Sequence, residues 1–539
     1  MKQVVALVAA FSLTTAAALA AAPTRAPAKS SPESGPAPAN LFTPRAVRST
    51  GTVTVEGHKI AYEAVAGTLI VHPKGWDDAA KPQGPKDALG TADGPPVASV
   101  FYVAYFKQGA DPRTRPVTFL YNGGPGSSTV WLHMGAFGPV RVVTNNDSHT
   151  PPAPYGAVDN TYSLLDASDL VFIDAPGTGF SRIEGKNKEK AFYGVDQDAY
   201  AFASFITEFL SKYDRWNSPK YLFGESYGTP RSAVLINDLE TERDIDFNGV
   251  ILLSQILNFD LSADAPETNP GIDLPYEIEL PTFAATAWFH HRLGSQPTDL
   301  DSFLKEVEHF AMGEYADALD QGANLPQDQF NAVAEKLHDY TGLPVAYIKK
   351  ADLRINGPEF EHQLLNDSDE STGRLDTRFS GPSMDPLGEE AEYDPQSAAI
   401  GSAYVSVFND YVRRTLHYTT HEAYYPEIFN NSWEFKHAPP GAPFPLPVSV
   451  NVMPDLATAM KYDPNLKICL NGGYFDLATP FYEGYYEMHH LQIPQKLQAN
   501  IEYHYYQSGH MVYANEASLK QLHDNVAAFI RKTDNQAGG

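Results

Sequence analysis

Gly224-Glu225-Ser226-Tyr227-Gly228 is the stretch of this chain best suited to chemistry. A serine hydroxyl is a weak nucleophile until a base takes its proton and the backbone lifts it clear of its neighbours. The flanking residues meet the second need. Tyr221-Leu222-Phe223 reads as a short buried strand, and Thr229 to Leu239 reads as a helix with Pro230 in its first turn. A strand that turns sharply into a helix holds the serine on a strained elbow, and the two glycines let the chain pack tightly around it. The base and the carboxylate that orients it are expected further along, on loops after later strands. Asp476 follows the strand Lys467 to Leu470 and a turn at Asn471-Gly472-Gly473. His510 follows the strand Ile501 to Tyr506. His489 and His490, on a helix, and His504, inside a strand, fit the role of base less well.

Acyl transfer also needs donors aimed at the oxygen on which negative charge develops. The backbone N–H of Tyr227, next to the serine, is one. The glycine-rich run Asn122-Gly123-Gly124-Pro125-Gly126 follows the apolar stretch Val117 to Tyr121, and Gly124 is the expected second donor. No Gly-Lys-Ser/Thr follows these glycines, which argues against a phosphate loop. Metal chemistry finds little support. His421-Glu422 lacks the second histidine of a zinc helix. His290 and His291 are adjacent, so on a helix they would point about 100° apart. No dinucleotide fingerprint follows a strand. Neither a metal nor a cofactor is expected. Tyr424 and Tyr425 are candidates for lining a substrate pocket, although core packing is the commoner role for such tyrosines.

The elements around these residues suggest how they are positioned. From Thr52, "TVTVEGHKIAYEAVAGTLIV" and "ASVFYVAYFKQG" alternate as in antiparallel edge strands. Val117 to Tyr121, Asp169 to Asp174, the elbow strand and Phe247 to Leu253 are apolar runs separated by helical stretches such as Asp196 to Tyr213. Alternation of this kind predicts an α/β fold: a mostly parallel central sheet with helices on both faces. From residue 260 to 447 helical patterns dominate, for example "PTFAATAWFHHRL" and "AAIGSAYVSVFNDYVRRTLHY", separated by acidic loop material such as "LLNDSDESTGRLDTRFSGPSMDPLGEEAEYDP". This segment reads as a mainly helical inserted lid. The expected organisation is a first core part over 51–259, the lid over 260–447 and a second core part over 448–533.

Composition narrows the setting. The chain has 539 residues, 43% of them hydrophobic, enough for a large core. Acidic residues number 66 against 39 basic, a net charge of -27 that argues against nucleic acid or an anionic membrane surface as partner. Lys2, the apolar stretch Val4 to Leu19 and Ala18-Leu19-Ala20 read as a signal peptide over 1–20, followed by a Pro/Ala-rich linker over 21–50. A secreted or periplasmic location and no stable membrane anchor are expected. The single cysteine, Cys469, cannot form an internal disulfide and reads as a small core residue. The sequence does not specify an oligomeric state.

Taken together, these motifs resemble those of the serine carboxypeptidase family: "NGGPGSS" at 122–128, "IDAPGTGFS" at 173–181, "GESYG" at 224–228 and "GHM" at 509–511, with Asp476 between the last two. The resemblance implies an α/β-hydrolase fold with a helical insertion, and removal of C-terminal residues from peptides at acidic pH. It implies Ser226 as nucleophile, His510 as base, Asp476 as orienting acid, and Gly124 and Tyr227 as oxyanion donors. Asn122, Gly123 and Glu225 match positions that grip the terminal carboxylate of the substrate. There are departures. The family's glutamate upstream of a Gly-Pro pair is Ala136 here, in Ala136-Phe137-Gly138-Pro139. Ser127 stands where the family has a cysteine, and "GHMVYANEA" lacks the usual proline. These departures suggest a divergent bacterial-type branch. Two carboxyls bind a third only by sharing protons. With Ala136, Glu225 is expected to lack its partner, giving weaker selectivity for free C-termini and a less acidic optimum. The leading expectation is a secreted serine-type carboxypeptidase. An esterase or acyltransferase on the same scaffold is the alternative, and an inactive binding module is a third reading.

Overall fold

Short runs of apolar side chains, too brief for helices, build the centre of the sheet. The computed structural model describes residues 41–77, 88–428, 433–442, 444 and 449–535. The expected signal peptide, most of the linker and the 447 boundary of the insertion lie outside the described residues. In chain order the main strands are β1 (Arg45–Val55), β2 (His58–Val71), β3 (Val97–Lys107), β4 (Val117–Tyr121), β5 (Asp169–Ile173), β6 (Lys220–Glu225), β7 (Gly249–Leu253), β8 (Lys467–Gly473) and β9 (Ile501–Tyr506). They lie side by side in the order β1-β2-β3-β5-β4-β6-β7-β8-β9, with a short strand, Arg182–Glu184, beside β3. The pairings β1–β2, β2–β3 and β3–β5 are antiparallel. All pairings from β5 to β9 are parallel. Every residue of β4, β5, β6 and β7 is buried, as expected of parallel strands covered on both faces.

Helices cover the two faces. On one side lie α1 (Val195–Lys212) and α2 (Gly228–Arg243), whose Phe202, Phe205, Leu235 and Leu239 share a core with Phe119 and Leu222. On the other side the core around Leu120, Phe223 and Ile251 is closed by Phe137, Tyr404, Tyr513, Leu522 and Phe529. Each such side chain contributes roughly 1.5–3 kcal/mol by leaving water. This strand order, with a sharp turn after β6, is the α/β-hydrolase arrangement.

Between β7 and β8 the chain is mainly helical: α3 (Leu274–Phe289), α4 (Leu300–Phe310), α5 (Gln327–Thr341), α6 (Gly357–Gln363) and α7 (Pro395–Arg414), with a small ribbon pairing Glu370–Thr372 with Ser380–Pro382. Three of these starts are written in the sequence as side-chain caps: Asp299, Asn356 and Asp394 accept from backbone N–H groups of the first turn. The insertion has its own core, which Phe475, Leu477 and Phe481 of the β8 side join. Then α8 (Met453–Tyr462) returns to the sheet, and α9 (Phe481–His489) and α10 (Glu516–Thr533) complete it.

Three boundaries differ from expectation. β1 begins at Arg45, inside the expected linker and before Thr52, because pairing with β2 carries a strand whose first residues are half-exposed. α3 begins at Leu274, ahead of the helical pattern read from Pro281, which lies in its interior, and ends at Phe289, before the last residues of that pattern. Asn471-Gly472-Gly473 continue β8 and pair with His504 to Tyr506; they are not a turn. A Cβ on Gly473 would lie 2.3 Å from the carbonyls of Ser508 and Gly509, so this glycine permits the close approach of the histidine loop.

Candidate active site

The elbow forms because β6 ends at Glu225 and α2 starts at Gly228, leaving two residues for the reversal. Ser226 takes φ +59°, a left-handed conformation that costs energy for a side chain and persists where the surroundings hold it. Its N–H donates to Leu253 O at 3.0 Å, and its carbonyl accepts from both the N–H and the hydroxyl of Thr229 at 2.7 and 2.8 Å. A Cβ on Gly224 would lie 2.1 Å from Gly228 O, and one on Gly228 would lie 3.0 Å from Tyr121 O, so the first glycine is required and the second eases a tight contact with β4.

Asp476 and His510 come from the loops after β8 and β9. His510 Nδ1 lies 2.8 Å from Asp476 Oδ2. A carboxylate only accepts, so Nδ1 carries the hydrogen and Nε2 is left as acceptor. Asp476 is fully buried and held by four donors: the N–H groups of Ala478 and Thr479 on Oδ1, and the Thr479 hydroxyl and His510 on Oδ2. Burial opposes a charge on His510, but the Asp476 carboxylate outweighs it and its proton affinity is raised. Ser226 and His510 both open onto a cavity of about 570 Å³, whose walls include Trp131, Arg374, Ile400, Pro426, Glu427 and Met511.

The glycine-rich loop faces the same cavity. Gly123 packs so closely on the elbow that a Cβ would sit 2.3 Å from Tyr227 N, and Gly124 takes φ +105° and is exposed to the cavity. Among the described residues no backbone acceptor takes the N–H of Gly124 or Tyr227. Asn122 has its Oδ1 fixed by Leu132 N at 3.0 Å, and its carbonyl accepts from Arg231 Nη1 at 2.7 Å. Glu225, 3% exposed, accepts from Tyr513 Oη at 2.8 and 3.1 Å, with the Asn122 side chain also beside it. Burial pushes its carboxyl up to about 7, against the lowering effects of His510, Tyr513 and Asn122. The expectation that Ala136 leaves Glu225 without a partner is therefore corrected: the partner is a tyrosine from the histidine loop.

All eight site residues expected from the sequence thus meet around one cavity or directly behind it. Other residues were not foreseen. Thr479 stands three positions after Asp476, and that Asp-x-x-Thr spacing was a readable turn signal. Arg231, buried on α2, pairs with Asp198 of α1 at 2.5 Å and lies over the Phe202 ring. Residues 374–378, expected to be acidic loop material, cross the site. Leu375 O accepts from His510 N at 2.6 Å, Arg374 O accepts from Leu477 N at 3.1 Å, and Asp376 Oδ2 accepts from Gly509 N at 3.2 Å. Arg378 in turn grips both oxygens of Asp376 at 2.9 and 2.5 Å. The stretch 173–181 is a clamp. Asp174 accepts from Thr129 N and Phe180 N, and a Cβ on Gly179 would collide with its carboxyl. Tyr424 packs on Phe180 and Phe408, and Tyr425 stacks under Arg182, so neither belongs to the cavity wall. Among the described residues no group of acidic, histidine or cysteine side chains is arranged to hold a metal ion, and no helix is long and apolar enough to cross a membrane.

Comparison with known proteins bears on the first part of the chain. The family model described as serine carboxypeptidase matches residues 91–268. "Serine carboxypeptidase S10 family member 1" of Dictyostelium discoideum is 33% identical over 141 residues, 24% of this chain and 29% of its own length. "Serine carboxypeptidase-like 33" of Arabidopsis thaliana is 31% identical over 150 residues, 26% and 29% of the two chains. "P-(S)-hydroxymandelonitrile lyase" of Sorghum bicolor is 29% identical over 201 residues, 36% and 34%. The matches thus span about a third of the relatives' length. Among solved structures, proline iminopeptidase of Mycobacterium smegmatis covers 90% of this chain and 99% of its own at 12% identity, with a TM-score of 0.34. Over residues 91–268, then, the chain is similar to the serine carboxypeptidase family, and its fold is that of the α/β-hydrolases.

Proposed function

We propose that this protein is a serine-type carboxypeptidase that acts outside the cytoplasm and releases C-terminal residues from peptides through an acyl-enzyme. Ser226 attacks the scissile carbonyl. His510 Nε2 takes the hydroxyl proton and later gives it to the leaving amine. Asp476 fixes the tautomer and stabilises the imidazolium. The N–H groups of Gly124 and Tyr227 receive the oxyanion, each worth on the order of 3 kcal/mol in the transition state. Asn122, Gly123 and Glu225 hold the terminal carboxylate of the substrate, and the helical insertion acts as a lid that shapes the cavity. Water then clears the acyl group.

One observation carries this reading: a buried carboxylate with every oxygen engaged holds an imidazole at 2.8 Å, and that imidazole shares a cavity with a serine on a strained elbow. The test is amino-acid release from an N-blocked dipeptide with a free C-terminus, from pH 4 to 8, beside Ser226→Ala. Release that the variant lacks supports the proposal. Ester cleavage or acyl transfer is the second reading, favoured by the methyl of Ala136 where the related family has a carboxyl. An enzyme whose Ser226 reacts with a fluorophosphonate but which releases no amino acid would move the assignment there.

A further inference from the structure

Glu225 has a partner that its own neighbourhood does not supply. The Tyr513 hydroxyl reaches both its oxygens, at 2.8 and 3.1 Å, from the short turn Val512–Ala514 that follows His510. The space for this ring is made by a glycine on the facing segment. A Cβ on Gly135 would lie 2.6 Å from the Tyr513 ring and 2.6 Å from Tyr404 Oη. Ala136, next to it, is completely buried. Any larger residue at 135 would displace the tyrosine, and at 136 the buried methyl leaves no acidic group. Gly135 admits the Tyr513 ring, and a phenol thus reaches Glu225 beside a segment, 132–137, that offers no carboxyl.

We propose that Tyr513 is a specificity-determining positioning residue, whose hydroxyl holds the Glu225 carboxyl in place of a second carboxyl group and so governs how Glu225 receives a carboxylate of the substrate. This deepens the carboxypeptidase reading and rests on it. The chemistry follows from what each partner can do with a proton. A second carboxyl would share Glu225's proton and retain it to higher pH. A phenol donates a hydrogen bond and favours the ionised form. Ionised Glu225 repels a substrate carboxylate, whereas protonated Glu225 donates a hydrogen bond to it. Other groups face Glu225 as well: His510 from the loop after β9, Asp476 from the loop after β8, and Tyr404 from α7, with Glu427 and Arg374 on the same cavity wall. His510 and Tyr513 favour the charged form and Asp476 opposes it, on top of the burial that dominates. Removing the Tyr513 hydroxyl leaves the burial and takes away a donor, so Glu225 holds its proton to higher pH.

The experiment is Tyr513→Phe, with kcat and KM measured from pH 5 to 9 on an N-blocked dipeptide and on its C-terminal amide. In parallel, the Glu225 carboxyl is titrated by ¹³C NMR of glutamate-labelled protein, with the signal assigned by Glu225→Gln. The expected result is an upward move of the Glu225 titration by about one unit, which is about tenfold in protonation at a given pH. KM for the free acid then falls several-fold at pH 8, while KM for the amide does not follow. A merely loosened site would raise KM for both substrates at every pH, and that result overturns the proposal. So does a Glu225 titration left in place by the variant. Glu225→Gln alone should abolish the pH-dependent limb, and the double variant should add nothing to it; an additive effect counts against Tyr513 acting through Glu225. If the wild-type enzyme cleaves no free-acid peptide, the peptidase reading fails and takes the substrate part of this proposal with it. An unchanged titration in an active enzyme removes the role of Tyr513 alone.

Discussion

Two backbone N–H groups, a hydroxyl and an imidazole converge on the Asp476 carboxylate, and this sets the acid side of the expected pH profile. His510 must be neutral to act as base. Asp476 raises its proton affinity above that of an ordinary histidine despite burial, so kcat/KM should climb as pH passes upward through the His510 titration. Asp476→Asn is expected to move that limb to lower pH and to reduce kcat by on the order of 10³ to 10⁴, because the amide no longer fixes the Nδ1–H tautomer. A pH–rate profile of the two proteins tests both effects. On the alkaline side, burial pushes the Glu225 carboxyl up to about 7, so if Glu225 receives the substrate carboxylate as proposed, binding of a free carboxylate should weaken above that pH. Ser226, Asp476 and His510 were legible in the sequence because each sits at the end of a strand in the order this fold requires. Tyr513 was not, because nothing in "GHMVYANEA" shows which side chain it meets.

Among the elements, the segment Arg374 to Arg378 is the least expected contributor. It belongs to the insertion, yet its carbonyls and the Asp376 carboxyl accept from backbone N–H groups of the loops that carry Asp476 and His510. Asp376 is buried and, among the described residues, Arg378 is the one cation in contact with it, at 2.5 Å. Breaking such a pair by removing one partner leaves a buried charge. Asp376→Ala is therefore expected to destabilise the protein by roughly 3 kcal/mol. It should also lower kcat through the displaced His510 loop. Urea denaturation followed alongside kcat checks this; loss of stability with kcat unchanged would show that the segment braces the fold without positioning His510. In the sequence these residues lie in a polar, turn-rich stretch with no periodicity. Their role depends on contacts with residues about a hundred positions away. β1 was misjudged for a related reason: only its last residues are buried, and pairing with β2 supplies the rest of its order.

At the scale of the whole molecule, buried glutamates collect where the insertion meets the sheet: Glu279 on α3, Glu361 on α6, and Glu483 and Glu487 on α9. Among the described residues neither oxygen of Glu279 or Glu483 meets a hydrogen-bond donor. Burial pushes all four carboxyls up, Glu487 to about 8 against hydrogen bonds from Leu257, Asn258 and Gln255, and neighbouring carboxylates add to the rise at Glu279, Glu361 and Glu483. His437, held between Asp196 and Asp455, is raised to about 9. A group whose proton affinity is higher in the folded state stabilises it fully below its unfolded value and loses that contribution as pH rises through the folded value. The partly buried Asp166, lowered by His523 and Arg531 despite burial, acts in the opposite sense and is lost on acidification. Thermal stability is therefore expected to be greatest near pH 5 and to fall toward pH 8–9. Glu483→Gln should flatten that fall and gain on the order of 1 kcal/mol at the alkaline end. A melting temperature that rises from pH 5 to 8 would refute this account.

The sequence by itself singled out Ser226, His510 and Asp476 and the N–H groups of Gly124 and Tyr227 as candidates for nucleophile, base, orienting acid and oxyanion donors, because each candidacy rests on a local pattern. A glycine-flanked serine between strand and helix, a glycine-rich turn after an apolar strand, and an aspartate and a histidine just past later strands are all short-range patterns. The alternation of strands and helices likewise determined the mostly parallel sheet. Only the tertiary structure decided what surrounds those groups. Tyr513 meets Glu225 across 288 positions, Asp376 meets Gly509 across 133, and Arg231 holds the carbonyl of Asn122 across 109. Contacts of that range are set by how loops from separate strands pack at one edge of the sheet, and no local pattern encodes which side chain arrives there.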